Sequence, residues 1–263
     1  MPILGLGTYK LDPKKAEETV KVALEMDYRH IDTAEGYLNE EGIGKAIDSY
    51  DRSKLFITSK VLPSNLHYES VLKSCERSLE KLRTDYLDLY LVHWPNEAIS
   101  IRETMQAMKR LYEEGRVKSI GVSNFSKYQL RIARRVSNIP ISVNQIEFHP
   151  WLHQRGLLNY CRENDVAVTA AAPLGRTKVL SADSITELSE KYDKSPAQIV
   201  LRWEVQKKVA TIPRSKSQIH IKENMEIFSW ELESEDMERI DNIPKQERCY
   251  TIDLDSKIYG ISP

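Results

Sequence analysis

Two periodicities alternate along this chain, and that alternation limits what it can fold into. Short β-rich runs stand at 4–9 (LGLGTY), 30–34 (HIDTA), 55–61 (LFITSKV), 87–93 (LDLYLVH), 117–124 (VKSIGVSN), 141–148 (ISVNQIEF), 166–173 (VAVTAAAP) and 209–213 (VATIP). Between them lie stretches with helical spacing, as at 70–83, where Val71, Leu72, Cys75, Leu79 and Leu82 recur. The stretch SPAQIVLRWEVQKK at 195–208 carries Pro196 just inside its start, where a helix tolerates proline. Eight strands separated by helices predict a parallel sheet with the helices packed outside it.

A closed barrel and an open doubly wound sheet both satisfy that pattern. Open sheets that hold dinucleotides carry GxGxxG after their first strand. Here Gly5 and Gly7 lead into Thr8-Tyr9-Lys10 rather than a helix start, and Gly42 and Gly44 lie inside a helical pattern without a third glycine in register. The expectation is an α/β chain whose residues 1–263 form a single (β/α)8 barrel of the TIM type, with extra helices and a short C-terminal tail. The tail after Pro244 has little periodicity and is expected to wrap the surface or a barrel rim.

Composition narrows the function classes. Lys plus Arg (38) nearly cancel Asp plus Glu (39), so no global field draws nucleic acid or an anionic membrane. No run approaches the ~20 apolar residues of a membrane span, and the opening MPILGLGTYKL lacks the pattern of a signal peptide. Cys75, Cys161 and Cys249 are odd in number and far apart, which argues against a disulfide framework or a zinc ribbon. The expected compartment is the cytoplasm. His149 and His153 have the four-residue spacing of helical metal ligands, but Pro150 separates them and no third ligand stands nearby, so no metal is expected.

In a parallel barrel, chemistry gathers where strands end. Asp32 ends the second strand, Tyr37 follows five residues later, Lys60 lies near the end of the third strand and His93 closes the fourth. Taken singly, each has a bland reading: a turn cap, a loop aromatic, a solvated charge, a satisfied core histidine. Four ionisable groups on three consecutive strand ends are harder to explain that way. They suit reversible hydride transfer to a carbonyl, because the alkoxide so formed needs a proton. A free tyrosine, with a pKa of about 10, is poorly matched to neutral pH. A neighbouring ammonium such as Lys60 favours the phenolate, Asp32 holds that ammonium, and His93 orients the carbonyl oxygen.

The blocks Asp32-Thr-Ala-Glu-Gly-Tyr37-Leu-Asn-Glu, Ser59-Lys60, Leu91-Val-His93-Trp-Pro95, Gly121-Val-Ser-Asn124-Phe and Ile212-Pro-Arg-Ser215 resemble, in order, the signature blocks of the aldo-keto reductase family. The resemblance spans Gly5 to about Ile243. It implies a (β/α) barrel that reduces small-molecule carbonyl substrates, with Asp32, Tyr37, Lys60 and His93 as a catalytic tetrad. It also implies a nicotinamide dinucleotide whose carboxamide is held by Ser123, Asn124 and Gln145. Gly7, Thr8, Asp32, Leu174 and Gly175 would lie along the cofactor, Arg214, Ser215 and Lys216 near its phosphates, and His220, Glu223 and Asn224 at its adenosine end. An anion site at that helix start, flanked by cations, makes physical sense.

Three positions depart from the family pattern. Ala171 stands where relatives often stack an aromatic ring on the nicotinamide, His220 where NADP-preferring relatives often carry Arg, and Leu62 where some relatives have Trp. Arg214 and Lys216 still favour NADP(H) over NAD(H). Tyr9, Leu62 and Trp94 are the expected substrate lining, and the short loop after His93 and the short tail suggest an open pocket. Two other readings use the same residues: a non-catalytic, nucleotide-binding regulatory subunit, or a barrel isomerase or aldolase with Lys60 as nucleophile.

Overall fold

The protein is represented by a computed structural model, in which residues 1–250 are described. Eight parallel strands lie side by side in chain order: β1 (Leu6–Gly7), β2 (His30–Asp32), β3 (Phe56–Val61), β4 (Leu89–Val92), β5 (Ile120–Ser123), β6 (Ile141–Glu147), β7 (Ala167–Ala171) and β8 (Ala210–Thr211). The first and last strands also meet. The Gly5 amide donates to the Thr211 carbonyl at 2.8 Å, and the Thr211 amide donates to the Ile3 carbonyl at 2.7 Å. The sheet thus closes on itself and has no free edge.

Helices α1 (Pro13–Glu25), α2 (Glu40–Ile47), α3 (Tyr68–Leu82), α4 (Ile101–Glu113), α5 (Lys127–Val136) and α6 (Arg155–Glu163) each link one strand to the next. Both α7 (Asp183–Tyr192) and α8 (Pro196–Gln206) fill the last crossover, and α9 (Gln218–Met225) and α10 (Ser234–Asp241) follow β8. Local chemistry sets several starts. Asp12 accepts from the Lys15 amide ahead of Pro13, while Ser126 with Gln129 and Ser195 with Gln198 form reciprocal capping boxes. The glycine pair of α2 has a steric role: a Cβ at Gly42 would stand 1.9 Å from the Pro13 carbonyl oxygen, and one at Gly44 2.2 Å from that of Lys81. The pair lets α2 press against the start of α1 and the end of α3. Among the described residues, no helix is long and apolar enough to cross a membrane.

Strand parity sorts the core into two parts. Ile31, Ile57, Tyr90, Val92, Ile120 and Val122 join the large cluster shared with the helices. Leu89, Leu91 and Val143 form a separate small cluster, with Phe56 packed against it. The parity that places Leu91 and Val143 together carries His93 and Gln145 to the same side, two residues nearer the C-terminal rim.

Lower on β2, His30 is buried, with Nε2 3.1 Å from Thr58 Oγ1 and Nδ1 3.3 Å from the Pro2 carbonyl. Burial pushes its pKa down to about 4. The unfolded chain binds a proton here near pH 6.5 and the folded chain only near 4, so acid favours unfolding across that window. Stability is expected to fall by roughly 3 kcal/mol from this group between pH 6.5 and 4. Urea midpoints measured along that range should drop less for His30→Gln than for the parent, and parallel curves would contradict the assignment.

Candidate active site

Three strand ends bring the expected tetrad together. The register sets Asp32 opposite Thr58 and Lys60 opposite Leu91, so the second, third and fourth strands deliver their polar residues to one level of the rim. Lys60 Nζ donates to Asp32 Oδ1 at 2.5 Å, to the Thr33 carbonyl at 2.8 Å and to the Tyr37 hydroxyl at 3.4 Å. The His93 ring stands edge-on to Tyr37, with centroids 5.4 Å apart. The Lys60 and Asp32 side chains are 0% and 2% exposed, so this ion pair is shielded from water.

Burial pulls the Lys60 ammonium below its ordinary value, and the Asp32 carboxylate pulls the other way. Three acceptors surround Nζ and match the three N–H groups of the charged form. His93 is pushed well below the ordinary imidazole value, first by burial and then by the Lys60 charge, so it stays neutral. Behind Tyr37, Asn39 ties the loop down. It accepts from Thr33 Oγ1 at 2.9 Å and donates to the Thr8 and Leu11 carbonyls at 2.8 and 3.0 Å.

The structure also gathers the expected amide group. Asn124, left-handed at φ 62°, donates to Ser123 Oγ and to the His93 carbonyl, both at 3.0 Å, and its amide donates to the Gln145 carbonyl at 2.8 Å. Gln145 reaches further than the resemblance implied, because its Nε2 donates to Asp32 Oδ2 at 2.7 Å. The amide cluster and the tetrad are therefore one hydrogen-bonded network. Gly7 and Thr8 frame it: the Gly7 amide donates to the Pro213 carbonyl at 3.1 Å, and Thr8 Oγ1 to the Asp32 carbonyl at 2.9 Å.

The remaining expected cofactor residues lie beyond β7 and β8. Ala171 ends β7 half-buried, and Leu174 leads into Gly175, which is left-handed at φ 52°. Arg214 and Lys216 are exposed at the approach to α9, whose first turn is capped by Ser217 accepting from the His220 amide at 3.4 Å. Ser215 accepts from the Ser217 amide at 3.0 Å. Along α9 the expected face runs from exposed His220 through half-buried Glu223 to Asn224, which is buried near Tyr28. On the substrate side, the Tyr9 ring lies 5.1 Å from that of Tyr37, and Leu62 and Trp94 are half-buried.

The tail follows the C-terminal rim as far as it is described, and residues 251–263 lie outside the described residues. Its anchor was invisible in the sequence. Glu147, fully buried at the end of β6, accepts from the Cys249 amide, from Arg248 at 3.1 Å and from His149 Nε2 at 3.0 Å. Tyr250 then donates to Asn124 Oδ1 at 3.2 Å and stands edge-on to Trp94. A cavity of about 340 Å³ lies between this strap and the rim, lined in part by Trp94, Asn124, Phe125 and Tyr250. The tail thus reaches Trp94 at the rim. Glu147, His149 and Cys249 bring ligand-type atoms within 4.8 Å of one another, but the carboxylate is already engaged by three donors. His153 bonds the Pro150 carbonyl instead, so the two histidines singled out by spacing serve separate partners.

A model of the Aldo/keto reductase family matches residues 3–245. The chain is 44% identical to the glyoxal reductase of Bacillus subtilis (strain 168), covering 94% of this chain and 91% of that protein. It is 38% identical to aldose reductase B of Dictyostelium discoideum, covering 95% and 91%. Among solved structures, it resembles MGS-M4, an aldo-keto reductase enzyme from a Medee basin deep-sea metagenome library, with a TM-score of 0.93, 38% identity and coverage of 95% and 94%.

Removing one partner of a buried ion pair leaves the other charge uncompensated, at a cost of about 3–5 kcal/mol. Lys60→Met is therefore expected to lower unfolding free energy by about that much, and adding Asp32→Asn should recover a good part of it. A double variant no more stable than the single one would show that the pair is not the buried charge couple described.

Proposed function

The chain belongs to the aldo/keto reductase family, whose carbonyl reduction uses a nicotinamide cofactor, and we propose that Tyr37 is the proton donor of that reduction here. One observation carries the reading: a buried ammonium, held by the Asp32 carboxylate and the Thr33 carbonyl, whose third acceptor is the Tyr37 hydroxyl. The residues present fit a nicotinamide dinucleotide. Buried Ser123 and Gln145 with Asn124 offer donors and acceptors complementary to a carboxamide, and exposed Arg214 and Lys216 flank a helix start suited to phosphate. When bound, the cofactor supplies the hydride.

Tyr37 gives its hydroxyl proton to the developing alkoxide oxygen, and Lys60 stabilises the phenolate left behind. Neutral His93 donates to the substrate oxygen and fixes its direction toward the phenol. Asp32, gripped by Gln145, keeps Lys60 in place. This arrangement disfavours a nucleophilic Lys60, because each of its N–H groups already has an acceptor.

The reading takes residues 1–263 as one barrel working in the cytoplasm, where free cysteines persist. Tyr9, Leu62 and Trp94 line the entrance, and substrates are small aldehydes and activated ketones. The glyoxal reductase similarity supports that size class. NADP(H) is preferred over NAD(H) through Arg214 and Lys216.

Tyr37→Phe is expected to lower kcat for a small aldehyde at least a hundredfold, while NADPH affinity, read by fluorescence titration, stays nearly unchanged. Equal losses in both would refute the role given to Tyr37. Arg214→Ala should raise the KM for NADPH about tenfold more than the KM for NADH. Parallel changes would place the 2′-phosphate elsewhere.

A further inference from the structure

The phenol of Tyr37 sits on a short turn, which Asn39 ties down on its far side. Its turn, Glu35–Tyr37, is a single 3-10 turn between extended Ala34 and left-handed Leu38 at φ 56°. Two main-chain bonds hold it, from the Tyr37 amide to the Ala34 carbonyl at 3.0 Å and from the Leu38 amide to the Glu35 carbonyl at 3.3 Å. Leu38 is 70% exposed, so it adds little packing, and a left-handed leucine is itself unfavourable. The Lys60 contact with the Tyr37 hydroxyl, at 3.4 Å, is already near the limit of a hydrogen bond. A small drift of the turn would lose it.

The side chain of Glu35 supplies what the backbone lacks. Its carboxylate is 11% exposed and collects donors from two other elements. From the loop after β3 come the Leu62 amide at 3.2 Å and Asn65 Nδ2 at 3.1 and 3.3 Å. From α3 come Ser74 Oγ at 3.1 Å and the Arg77 guanidinium at 2.8 Å, and Arg77 also donates to Ser74 Oγ at 2.8 Å. A turn cap bonds its own neighbours, whereas every donor here lies 27 or more residues away in the chain. The carboxylate is a clasp between the phenol's turn, the loop that bears Leu62 and the helix behind both.

We propose that Glu35 is a positioning residue for the reduction: it fixes the distance between the Tyr37 hydroxyl and Lys60 and links that distance to the loop carrying Leu62. The proposal rests on the reading of Tyr37 as the acid. Misplacing a reacting group by about 1 Å can cost on the order of 10²-fold in rate, so the effect belongs in kcat rather than in cofactor affinity.

Glu35→Gln keeps the shape but turns one acceptor oxygen into a donor facing donors. Asn65→Ala and Arg77→Ala remove single donors and serve as milder variants should Glu35→Gln fold poorly. The enzyme with NADPH bound is labelled with fluorotyrosine, and the Tyr37 signal is identified among the 13 tyrosines by its loss in Tyr37→Phe. Glu35→Gln is expected to lower kcat about thirtyfold to a hundredfold with NADPH affinity within about twofold, and to move the Tyr37 resonance while the distant ones stay. Asn65→Ala and Arg77→Ala should move the same resonance with smaller losses of kcat. An unchanged kcat and resonance overturns the proposal, as does a spectrum altered throughout together with weakened cofactor binding. If Tyr37→Phe keeps its activity, the acid assignment fails instead, and the resonance still reports on the clasp.

Discussion

The pairing of Lys60 with Asp32, sealed from water between β2 and β3, is the interaction on which the site depends. An ammonium taken out of solvent is costly unless a carboxylate and further acceptors compensate it, and here the compensation is built from strand ends. Asp32 takes one N–H, the Thr33 carbonyl a second, and the phenol of Tyr37 the third. The ammonium beside the phenol is thereby fixed in position. Gln145 extends the arrangement across the barrel by gripping the second carboxylate oxygen of Asp32 from β6. The groups expected to hold a carboxamide and the groups expected to move a proton are joined through that bond.

That arrangement follows from strand parity. Side chains alternate between the helical layer and the barrel interior, so the residues two apart that fill the lumen with Leu91 and Val143 must, at the rim, present His93 and Gln145. Polar chemistry at one end and apolar packing below it are two ends of a single alternation. The helices outside pack closely, most visibly where Gly42 and Gly44 bring α2 against the carbonyls of Pro13 and Lys81.

Much of this was legible in the sequence because it is local or periodic. The eight strand runs, the helix start at Pro196 and the four ionisable residues at strand ends all follow from short-range patterns. The five ordered blocks pointed to the family, and they singled out Ser123, Asn124 and Gln145, which the structure brings together. Other contacts could not be read, because they join residues far apart in the chain. Glu147 anchors Arg248 and Cys249 from a hundred residues away, and Glu35 collects Leu62, Asn65, Ser74 and Arg77. A glutamate in a turn looks solvated until its partners are placed. The glycine pair of α2 likewise gave no hint of the two carbonyls that exclude a side chain there.

The seam between β8 and β1 has a consequence for how the chain is made. β1 comprises two residues, and one flank of it is completed by Thr211 and Pro213. During synthesis that flank has no partner until the whole stretch between Gly7 and Thr211 has emerged. Until then the nascent chain carries an open curved sheet, and closing it is a zipper between two strands separated by the six others.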